Sequence, residues 1–304
     1  MSAPRVLVLL KRSAYTKYVE QEHDAHVEAL LERGDASVVR MIPSHKDHEE
    51  TAAEVMTALT ALNADVTLGQ SPREPIPKEK VDLVVTVGGD GTLLAASHQI
   101  GADTPILGVN SAPAHSVGFF CAARKGSVKE TLAAALKGQL RRVSLTRMRV
   151  EINDVVVHRR VLNEALFCHA SPAATSRYIL RVTNPDGAVD EEEQKSSGLW
   201  VGPAAGSTAA QRSAGGRVLP LSSTKVQFVV REPYTPLGGR IRLAHGLVEG
   251  DGHLTLRSKM RSAKVFLDGE VTVFDITIGD VVRMRRSDEP LTVLGLTRNG
   301  DKRA

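Results

Sequence analysis

The chain has 304 residues, of which 42% are hydrophobic and 24% are charged, and its net charge is +4. These are ordinary globular values, which exclude a disordered, collagen-like or low-complexity chain. The length exceeds the roughly 250 to 300 residues at which single cores stop growing, so we expect two domains. The charge is too small and too dispersed for non-specific nucleic-acid binding. A small charge of this kind is compatible with a phosphate-bearing small molecule as ligand.

The number of cysteines and the length of the apolar runs indicate the cellular compartment in which the protein is expected. The two cysteines, Cys121 and Cys168, are too few for a disulfide framework, and no CxxC motif occurs. The apolar run at residues 6–10 is too short for a signal peptide or a membrane span, and Lys11 and Arg12 follow it at once. We therefore expect a soluble, cytoplasmic protein without membrane contact.

The first part of the chain alternates short apolar runs with helical patterns. Helical patterns cover residues 18–34 and 48–66, and a third helix begins near residue 93. Strands are predicted at residues 5–10, 37–42, 81–87 and 105–109. This alternation predicts a parallel α/β sheet, and the continuous apolar run VDLVVTV is typical of a strand buried on both faces.

Beyond residue 142 the sequence changes to many short strand patterns with little helix. We place an α/β domain at residues 1–142 and a β-rich domain at residues 143–285. The segment 286–304 contains PLTVLGLT, which we expect to return to the first domain as a strand, followed by a frayed tail. The predicted fold class is an α/β N-terminal domain with a parallel sheet plus a β-rich C-terminal domain.

A glycine-rich turn, GGDGT, follows the buried strand at residues 88–92. Ligands bind at this edge of open α/β sheets, and glycine lets the main chain come close to a phosphate. Asp90 would repel a phosphate unless it holds a metal or takes a proton from a nucleophile, so a role in phosphoryl transfer resolves the conflict. The alternative is a structural turn with Asp90 as helix N-cap. It is not a Walker motif, because no Lys-Ser or Lys-Thr follows the glycines.

Two further segments attract attention. Asn163 and Glu164 are adjacent polar residues between apolar ones, which predicts a strand end facing a cleft; a core or solvent pair is the alternative. The small residues 202–208 follow the apolar strand 199–201 and offer close backbone approach and hydroxyl donors, the alternative being a surface loop.

The acidic run at residues 190–193 is interpreted as a solvated hairpin tip rather than a metal site. Ser13, Tyr15 and Lys17 follow the first strand and are expected at the same sheet edge as GGDGT. No protein metal site is predicted.

Four motifs in this order resemble the NAD kinase family: GGDGT, the Asn-Glu pair, GSTA with SAGG, and DGE followed by GDVVRM. The resemblance covers nearly the whole chain and implies the NAD kinase-like two-domain architecture. KRSAYTKYVEQE, GVNSAPAHSVGFFC and QKSSGL are similar to the mitochondrial-type branch and its bacterial relatives. Ser197, Ala205 and Ala210 depart from the common bacterial pattern.

The resemblance implies that Asp90 is the catalytic base, which takes the proton from the adenosine ribose 2′-hydroxyl of NAD. It further implies a donor that is ATP or polyphosphate, with Mg²⁺ arriving on the donor phosphates. The implied substrate-binding residues are Gly88, Gly89, Gly91 and Thr92 for phosphates, Asn163 and Glu164 for adenine and ribose, and Lys195, Ser197, Thr208, Ala209 and Ser213.

The resemblance also implies that the acceptor is NAD or NADH and that the protein is a homo-oligomer, with a dimer favoured. Two other functions compete with this one. A lipid kinase of the diacylglycerol or sphingosine type shares GGDGT, but the chain lacks a membrane-binding segment. A catalytically silent dinucleotide-binding sensor is the other alternative, and the intact Asp90, Asn163 and Glu164 argue against it.

Overall fold

A computed structural model describes residues 3–69, 71–76, 81–235 and 239–296. The chain divides into two units. The first comprises the described residues up to Val143 and those from Thr292 onward, and the second comprises Ser144–Leu291.

The first unit is built on a seven-stranded sheet in the order β2-β1-β3-β4-β19-β6, with β5 also paired to β4. Its strands are β1 (Arg5–Leu10), β2 (Asp65–Gly69), β3 (Leu83–Gly88), β4 (Ile106–Asn110), β5 (Cys121–Arg124), β6 (Arg142–Leu145) and β19 (Leu291–Leu294). β1 pairs in parallel with β2 and β3, and β4 pairs in parallel with β3, β5 and β19. Every residue of β3 is buried, as its uninterrupted apolar sequence predicts.

The strand order contains a topological switch point. β2 and β3 follow β1 in the chain but lie on opposite sides of it. A crevice opens at the carboxyl ends of two strands from which the chain departs in opposite directions, and ligands bind there in open α/β sheets. In this protein the crevice lies where β1 and β3 end, which is the position of the GGDGT turn.

Helices connect these strands. They are a π-helix at Thr16–Gln21, α1 (Ala25–Glu32), α2 (Met41–Ala61), α3 (Asp90–Ser97) and α4 (Val128–Leu136). The Asp24 carboxylate caps α1 by accepting the backbone N–H groups of His26 and Val27. Within the described ranges, no helix combines the length and the apolar composition that crossing a membrane requires.

The strand predicted at residues 37–42 is wrong. Residues 36–40 form a turn and α2 begins at Met41. Val39 and Ile42 are 60% and 51% exposed, so this apolar run does not enter a sheet. Short apolar runs do not distinguish a strand from a helix start. The second strand of the chain is β2, which follows α2.

The second unit consists of two six-stranded antiparallel sheets, in the orders β11-β10-β15-β18-β7-β8 and β14-β13-β12-β9-β16-β17. The first contains β7 (Met148–Ile152), β8 (Val155–Val161), β10 (Ser176–Thr183), β11 (Val189–Ser196), β15 (His253–Ser258) and β18 (Val281–Arg286). The second contains β9 (Ala165–His169), β12 (Gly198–Pro203), β13 (Val226–Arg231), β14 (His245–Val248), β16 (Ala263–Leu267) and β17 (Thr272–Ile276).

Alternating burial explains how these sheets share one core. On β10, Tyr178, Leu180 and Val182 are buried while the residues between them are more exposed, and the core cluster draws side chains from both sheets. The predicted fold class is thus confirmed. The acidic run is not a hairpin tip, because it forms part of β11, where Glu191 accepts a 2.7 Å hydrogen bond from Arg181 Nε on β10.

Candidate active site

The carboxyl ends of the central strands are tied together by backbone hydrogen bonds. The Lys11 N–H donates to the Val87 carbonyl at 2.9 Å, and the Ser111 N–H donates to the Gly88 carbonyl at 3.0 Å. The residues that follow β1, β3 and β4 therefore meet at one edge, around the switch point.

The glycines of the GGDGT turn differ in whether the surrounding atoms leave room for a side chain. A Cβ on Gly88 would lie 2.1 Å from Thr92 Oγ1 and 2.9 Å from Lys11 Cβ, and a Cβ on Gly89 would lie 2.6 Å from Ser116 Oγ. Gly91 has no atom within 4 Å of such a Cβ and is exposed. Gly88 and Gly89 thus permit close packing of the turn, whereas Gly91 presents open backbone at the start of α3.

Asp90 is the first residue of α3, and Gly89 occupies the N-cap position. The Asp90 carboxylate does not cap its own helix. Instead, Oδ2 accepts the Phe119 N–H and Oδ1 accepts the Phe120 N–H, both at 2.8 Å. Because each carboxylate oxygen has two lone pairs, each retains one acceptor position after these bonds. The carboxylate is therefore fixed in orientation and still able to accept a proton.

The segment that holds Asp90 is itself built on Asn110. Asn110 Nδ2 donates to the Ser116 carbonyl at 3.0 Å, and its Oδ1 accepts the Ala112 N–H at 3.2 Å. Gly118 has a φ of +62°, and a Cβ there would lie 2.4 Å from Asn110 Nδ2. The loop between β4 and β5 is thus folded so that its last N–H groups reach Asp90.

Lys11 supplies a partly buried cation at this edge, and sequence reasoning did not single it out as a site residue. Burial lowers the pKa of its ammonium group, and no carboxylate in the described part of the chain pairs with it. A buried charge without a counter-ion is costly unless a ligand compensates it. Its position directly after the first strand was the signal that could have identified it.

His48 on α2 adjoins Lys11. It is 6% exposed, and its Nδ1 lies 3.0 Å from Ser111 Oγ. Burial lowers the pKa of His48 to about 4, and the charge of Lys11 acts in the same direction. His48 is therefore neutral at pH 7 and adds no charge to the edge.

Ser13 and Tyr15, expected at the same edge, make their contacts with His45. Ser13 Oγ lies 2.9 Å from His45 Nδ1 and accepts the Thr16 N–H at 3.0 Å, while the Tyr15 ring stacks on the His45 ring at 4.8 Å. Lys17 Nζ lies 3.3 Å from the Tyr18 hydroxyl. This cluster organises the start of the π-helix.

In the second unit, Asn163 and Glu164 lie between β8 and β9 and are held by Asp268. The Asp268 carboxylate accepts the backbone N–H groups of Leu162, Asn163 and Glu164 at 2.7, 2.8 and 2.9 Å. The Asp268 N–H in turn donates to the Glu164 carbonyl at 2.9 Å. Asp268 belongs to the DGE motif, whose role the sequence alone did not reveal.

The small-residue segment packs directly on this pair. A Cβ on Gly202 or Gly206 would lie 2.1 or 1.8 Å from the Asn163 carbonyl oxygen, and Gln211 Nε2 donates to that oxygen at 3.3 Å. A short 3₁₀ helix covers Ala204–Thr208 and a four-residue helix, α5, covers Ala210–Ser213. Thr208 and Ala209 are half-buried, whereas Ser213 is exposed.

The Asn-Glu pair contains two buried acceptors without a donor. Asn163 Oδ1 and Glu164 Oε2 make no hydrogen bond to any described residue. Burial raises the pKa of Glu164 to about 7, and the charge of Asp268 contributes to the increase. An unsatisfied buried polar atom costs about 1–3 kcal/mol, so this site is suited to a ligand that brings hydroxyl or amino donors.

Lys195 and Ser197 are not brought to this cluster. Lys195 is exposed on β11, and the Ser197 N–H donates to the Arg231 carbonyl at 2.9 Å just before β12. The 3₁₀ helix with Thr208 follows the other end of β12. Six residues of strand separate these ends, which corresponds to about 20 Å.

No group of three or more His, Cys, Asp or Glu side chains suited to a metal ion occurs among the described residues. Asp90 is the acidic residue of the GGDGT turn, and its two oxygens already accept backbone N–H groups.

Comparison with known proteins gives this fold a class. The yeast NADH kinase complexed with NADH aligns with a TM-score of 0.73 and 14% identity, covering 99% of this chain and 86% of that one. An NAD kinase from Archaeoglobus fulgidus in complex with ATP aligns with a TM-score of 0.65 and 22% identity, covering 96% and 94%. The fold is that of the NAD kinases.

Sequence comparison reaches the same family. Residues 6–140 match the ATP-NAD kinase N-terminal domain. A probable NADH kinase of Oryza sativa subsp. japonica is 35% identical over 83% of this chain and 82% of its own length. An NADH kinase of Arabidopsis thaliana is 36% identical over 71% and 73%, and an NAD kinase of Syntrophotalea carbinolica is 34% identical over 68% and 70%. The chain belongs to the NAD kinase family.

Proposed function

We propose that this protein transfers a phosphoryl group to the adenosine ribose 2′-hydroxyl of NAD or NADH, forming NADP(H). The observation that carries the proposal is the fixed carboxylate of Asp90 in a glycine-rich turn at the switch point, in a chain of this family. An aspartate does not deprotonate an alcohol in the ground state. It accepts the proton as the oxygen begins to bond to phosphorus.

The first unit would hold the phosphates. Gly88, Gly89, Gly91 and Thr92 form the turn, and the exposed backbone at Gly91 lies in the first turn of α3, where anions are favoured. Lys11 would bring its uncompensated charge to the transferred or bridging phosphate. With Asp90 held by two N–H groups, the proposed base is positioned before the reaction begins.

The second unit would hold adenine and ribose. The orphaned Asn163 Oδ1 and Glu164 Oε2 are acceptors, which suit the amino group of adenine and the ribose hydroxyls. Thr208, Ala209 and Ser213 belong to the substrate-binding segment in this proposal. Lys195 and Ser197 stay predictions that rest on the resemblance alone.

Mg²⁺ is proposed as the cofactor that accompanies the donor phosphates, where it would neutralise charge on the transferred group. The donor is proposed to be ATP or polyphosphate. We also propose a cytoplasmic homodimer, as the resemblance implies, and light scattering coupled to size exclusion measures the oligomeric state directly. The lipid-kinase alternative is not favoured, since the relatives described above carry the names NAD or NADH kinase.

The test is an NADP(H)-forming assay with the purified chain and Mg²⁺, in which NAD and NADH are crossed with ATP and polyphosphate. Diacylglycerol and sphingosine serve as control acceptors. Turnover on a dinucleotide is expected, and the four combinations identify the donor and the redox form. Lipid phosphorylation without dinucleotide turnover would contradict the proposal, and so would dinucleotide binding without turnover.

A further inference from the structure

The second unit contains a basic cavity of about 180 Å³ outside the Asn163–Glu164 cluster. Its wall is formed by Arg149 on β7, by Arg285 and Arg286 at the end of β18, and by the turn at residues 250–252 that precedes β15. Pockets for drug-sized ligands measure roughly 300–1,000 Å³, so this cavity is smaller than such pockets. The cavity is sized for a small molecule.

Two of the arginines face each other directly. Arg149 and Arg285 are register partners in the antiparallel β7–β18 pair. Like charges directly opposite each other destabilise a sheet. One carboxylate, Glu151, is shared between them: its Oε1 lies 2.6 Å from Arg149 Nε and 3.2 Å from Arg285 Nη2. Arg283 approaches Oε2 of the same carboxylate at 3.2 Å.

The shared carboxylate does not satisfy these guanidinium groups. The Nε–H groups of Arg283 and Arg285 are buried and make no hydrogen bond to any described residue. Arg149 Nε is close to the Glu151 carboxylate, but its N–H is not aligned for a hydrogen bond to it. Burial raises the pKa of Glu151, yet the hydrogen bond from Arg285 and the charge of Arg149 outweigh it and leave the pKa below its usual value. The field around Glu151 is therefore strongly positive.

The other carboxylates near the cavity compensate little. Asp154 is exposed and pairs with Arg283 at 2.9 Å. Asp251 is almost fully exposed and lies 4.0 Å from Arg286, and Asp288 is exposed at the rim. Exposed ion pairs of this kind contribute about 0–1 kcal/mol. Three guanidinium groups thus line the cavity. Arg149 and Arg285 share the buried Glu151 carboxylate, and Arg286 has only the exposed Asp251 nearby.

We propose that this cavity binds a small polyvalent phosphate anion, inorganic phosphate or diphosphate. Planar guanidinium groups hold phosphate oxygens through paired hydrogen bonds, and three of them together suit an anion with more than one negative charge. Bound phosphate relieves the repulsion between Arg149 and Arg285. The proposal does not depend on the kinase activity proposed above.

The test is isothermal titration of sodium phosphate and sodium diphosphate into the full chain at constant ionic strength, with ATP present to occupy the donor site. Arg286→Gln is the main variant, because Arg286 has the weakest ties to the fold; Arg285→Gln is the second. Arg257→Gln, on β15 of the same sheet but outside the cavity, is the matched control for net charge.

We expect one saturable site for one of the two anions, weakened about tenfold or more by Arg286→Gln or Arg285→Gln and unchanged by Arg257→Gln. The two titrations tell phosphate from diphosphate. Absence of saturable binding, or equal weakening by Arg286→Gln and Arg257→Gln, would overturn the proposal. Sodium citrate is titrated in parallel as a carboxylate control. If citrate binds, Arg286→Gln removes that binding, and neither phosphate nor diphosphate binds, the ligand is a carboxylate and the proposal is overturned.

Discussion

The edge around GGDGT and the pair Asn163–Glu164 respond to burial in opposite ways. Burial lowers the pKa of Lys11 in the first and raises the pKa of Glu164 in the second. The cause is the same, since a low-dielectric surrounding disfavours the charged form of any group. The first region is left with a cation and open backbone, and the second with acceptors that lack donors.

This difference separates two kinds of recognition. A cation beside glycine backbone suits anionic phosphate oxygens, whereas orphaned carbonyl and carboxyl oxygens suit hydroxyl and amino groups. A nucleotide carries both kinds of group. We therefore expect substitutions in the two regions to affect different parts of the substrates.

Replacing the proposed base has the largest expected effect. Asp90→Asn should lower kcat by about two to four orders of magnitude, the usual contribution of a positioned general base. The NH₂ group of an Asn side chain would face the backbone N–H of Phe119 or Phe120, and two donors that face each other disturb the loop. A second variant is therefore needed to separate this disturbance from the loss of the base. Asn110→Ala loosens the same loop and keeps the carboxylate. Comparable loss of kcat in both variants would mean that Asp90 acts through structure alone.

His48 should make the stability of the first unit depend on pH. Its folded pKa of about 4 lies below the ordinary value of 6.5, so the unfolded chain binds the proton first as the pH falls. The contribution of neutral His48 to the free energy of unfolding is complete above pH 6.5. It is lost as the pH falls to about 4 and below, which lowers the free energy of unfolding by about 3 kcal/mol. Urea unfolding at a series of pH values measures it. His48→Gln should remove this part of the acid sensitivity, and parallel profiles for variant and wild type would refute the assignment.

Lys11→Met should act on the phosphate donor. Removing a charged partner of a phosphate oxygen corresponds to a rise of about 10- to 100-fold in the donor KM. Lys11→Arg keeps the charge and should retain more of the donor affinity. Steady-state kinetics with each substrate varied in turn tests this. An unchanged donor KM in Lys11→Met would show that the cation does not contact the donor.

Glu164→Gln should act on the dinucleotide, with a rise of about tenfold in its KM, because a neutral amide is a weaker acceptor for hydroxyl groups. Since the pKa of Glu164 is about 7, the dinucleotide KM of the wild type should fall as the pH rises through that value. The variant should lose this dependence. A pH profile that is the same in both proteins would argue against Glu164 as the titrating acceptor.

The sequence predicted the overall fold because its signals there are strong. VDLVVTV and GGDGT specify a doubly buried strand followed by a turn and a helix, and β3 and α3 form as expected. The alternating strands after residue 142 likewise form two sheets. The strand prediction for residues 37–42, SVVRMI, was wrong because an apolar run of this length fits a strand and a helix start equally well.

The contacts that organise the candidate site were beyond the sequence. Asp268 lies over 100 residues from the Asn163–Glu164 pair that it holds, and Phe119 and Phe120 approach Asp90 through a loop whose path depends on Asn110. These bonds use backbone N–H groups, which carry no sequence signature. The separation of Ser197 from Thr208 follows from β12 running between them, which the resemblance of motifs did not reveal.

The most direct test of the separation is a calorimetric titration of adenosine and of tripolyphosphate into the wild type, Lys11→Met and Glu164→Gln. Adenosine carries no phosphate and tripolyphosphate carries no sugar. We expect Glu164→Gln to weaken adenosine and leave tripolyphosphate unchanged, and Lys11→Met to do the reverse. Loss of tripolyphosphate binding in Glu164→Gln, or of adenosine binding in Lys11→Met, would contradict the assignment of phosphate to one region and of adenine and ribose to the other.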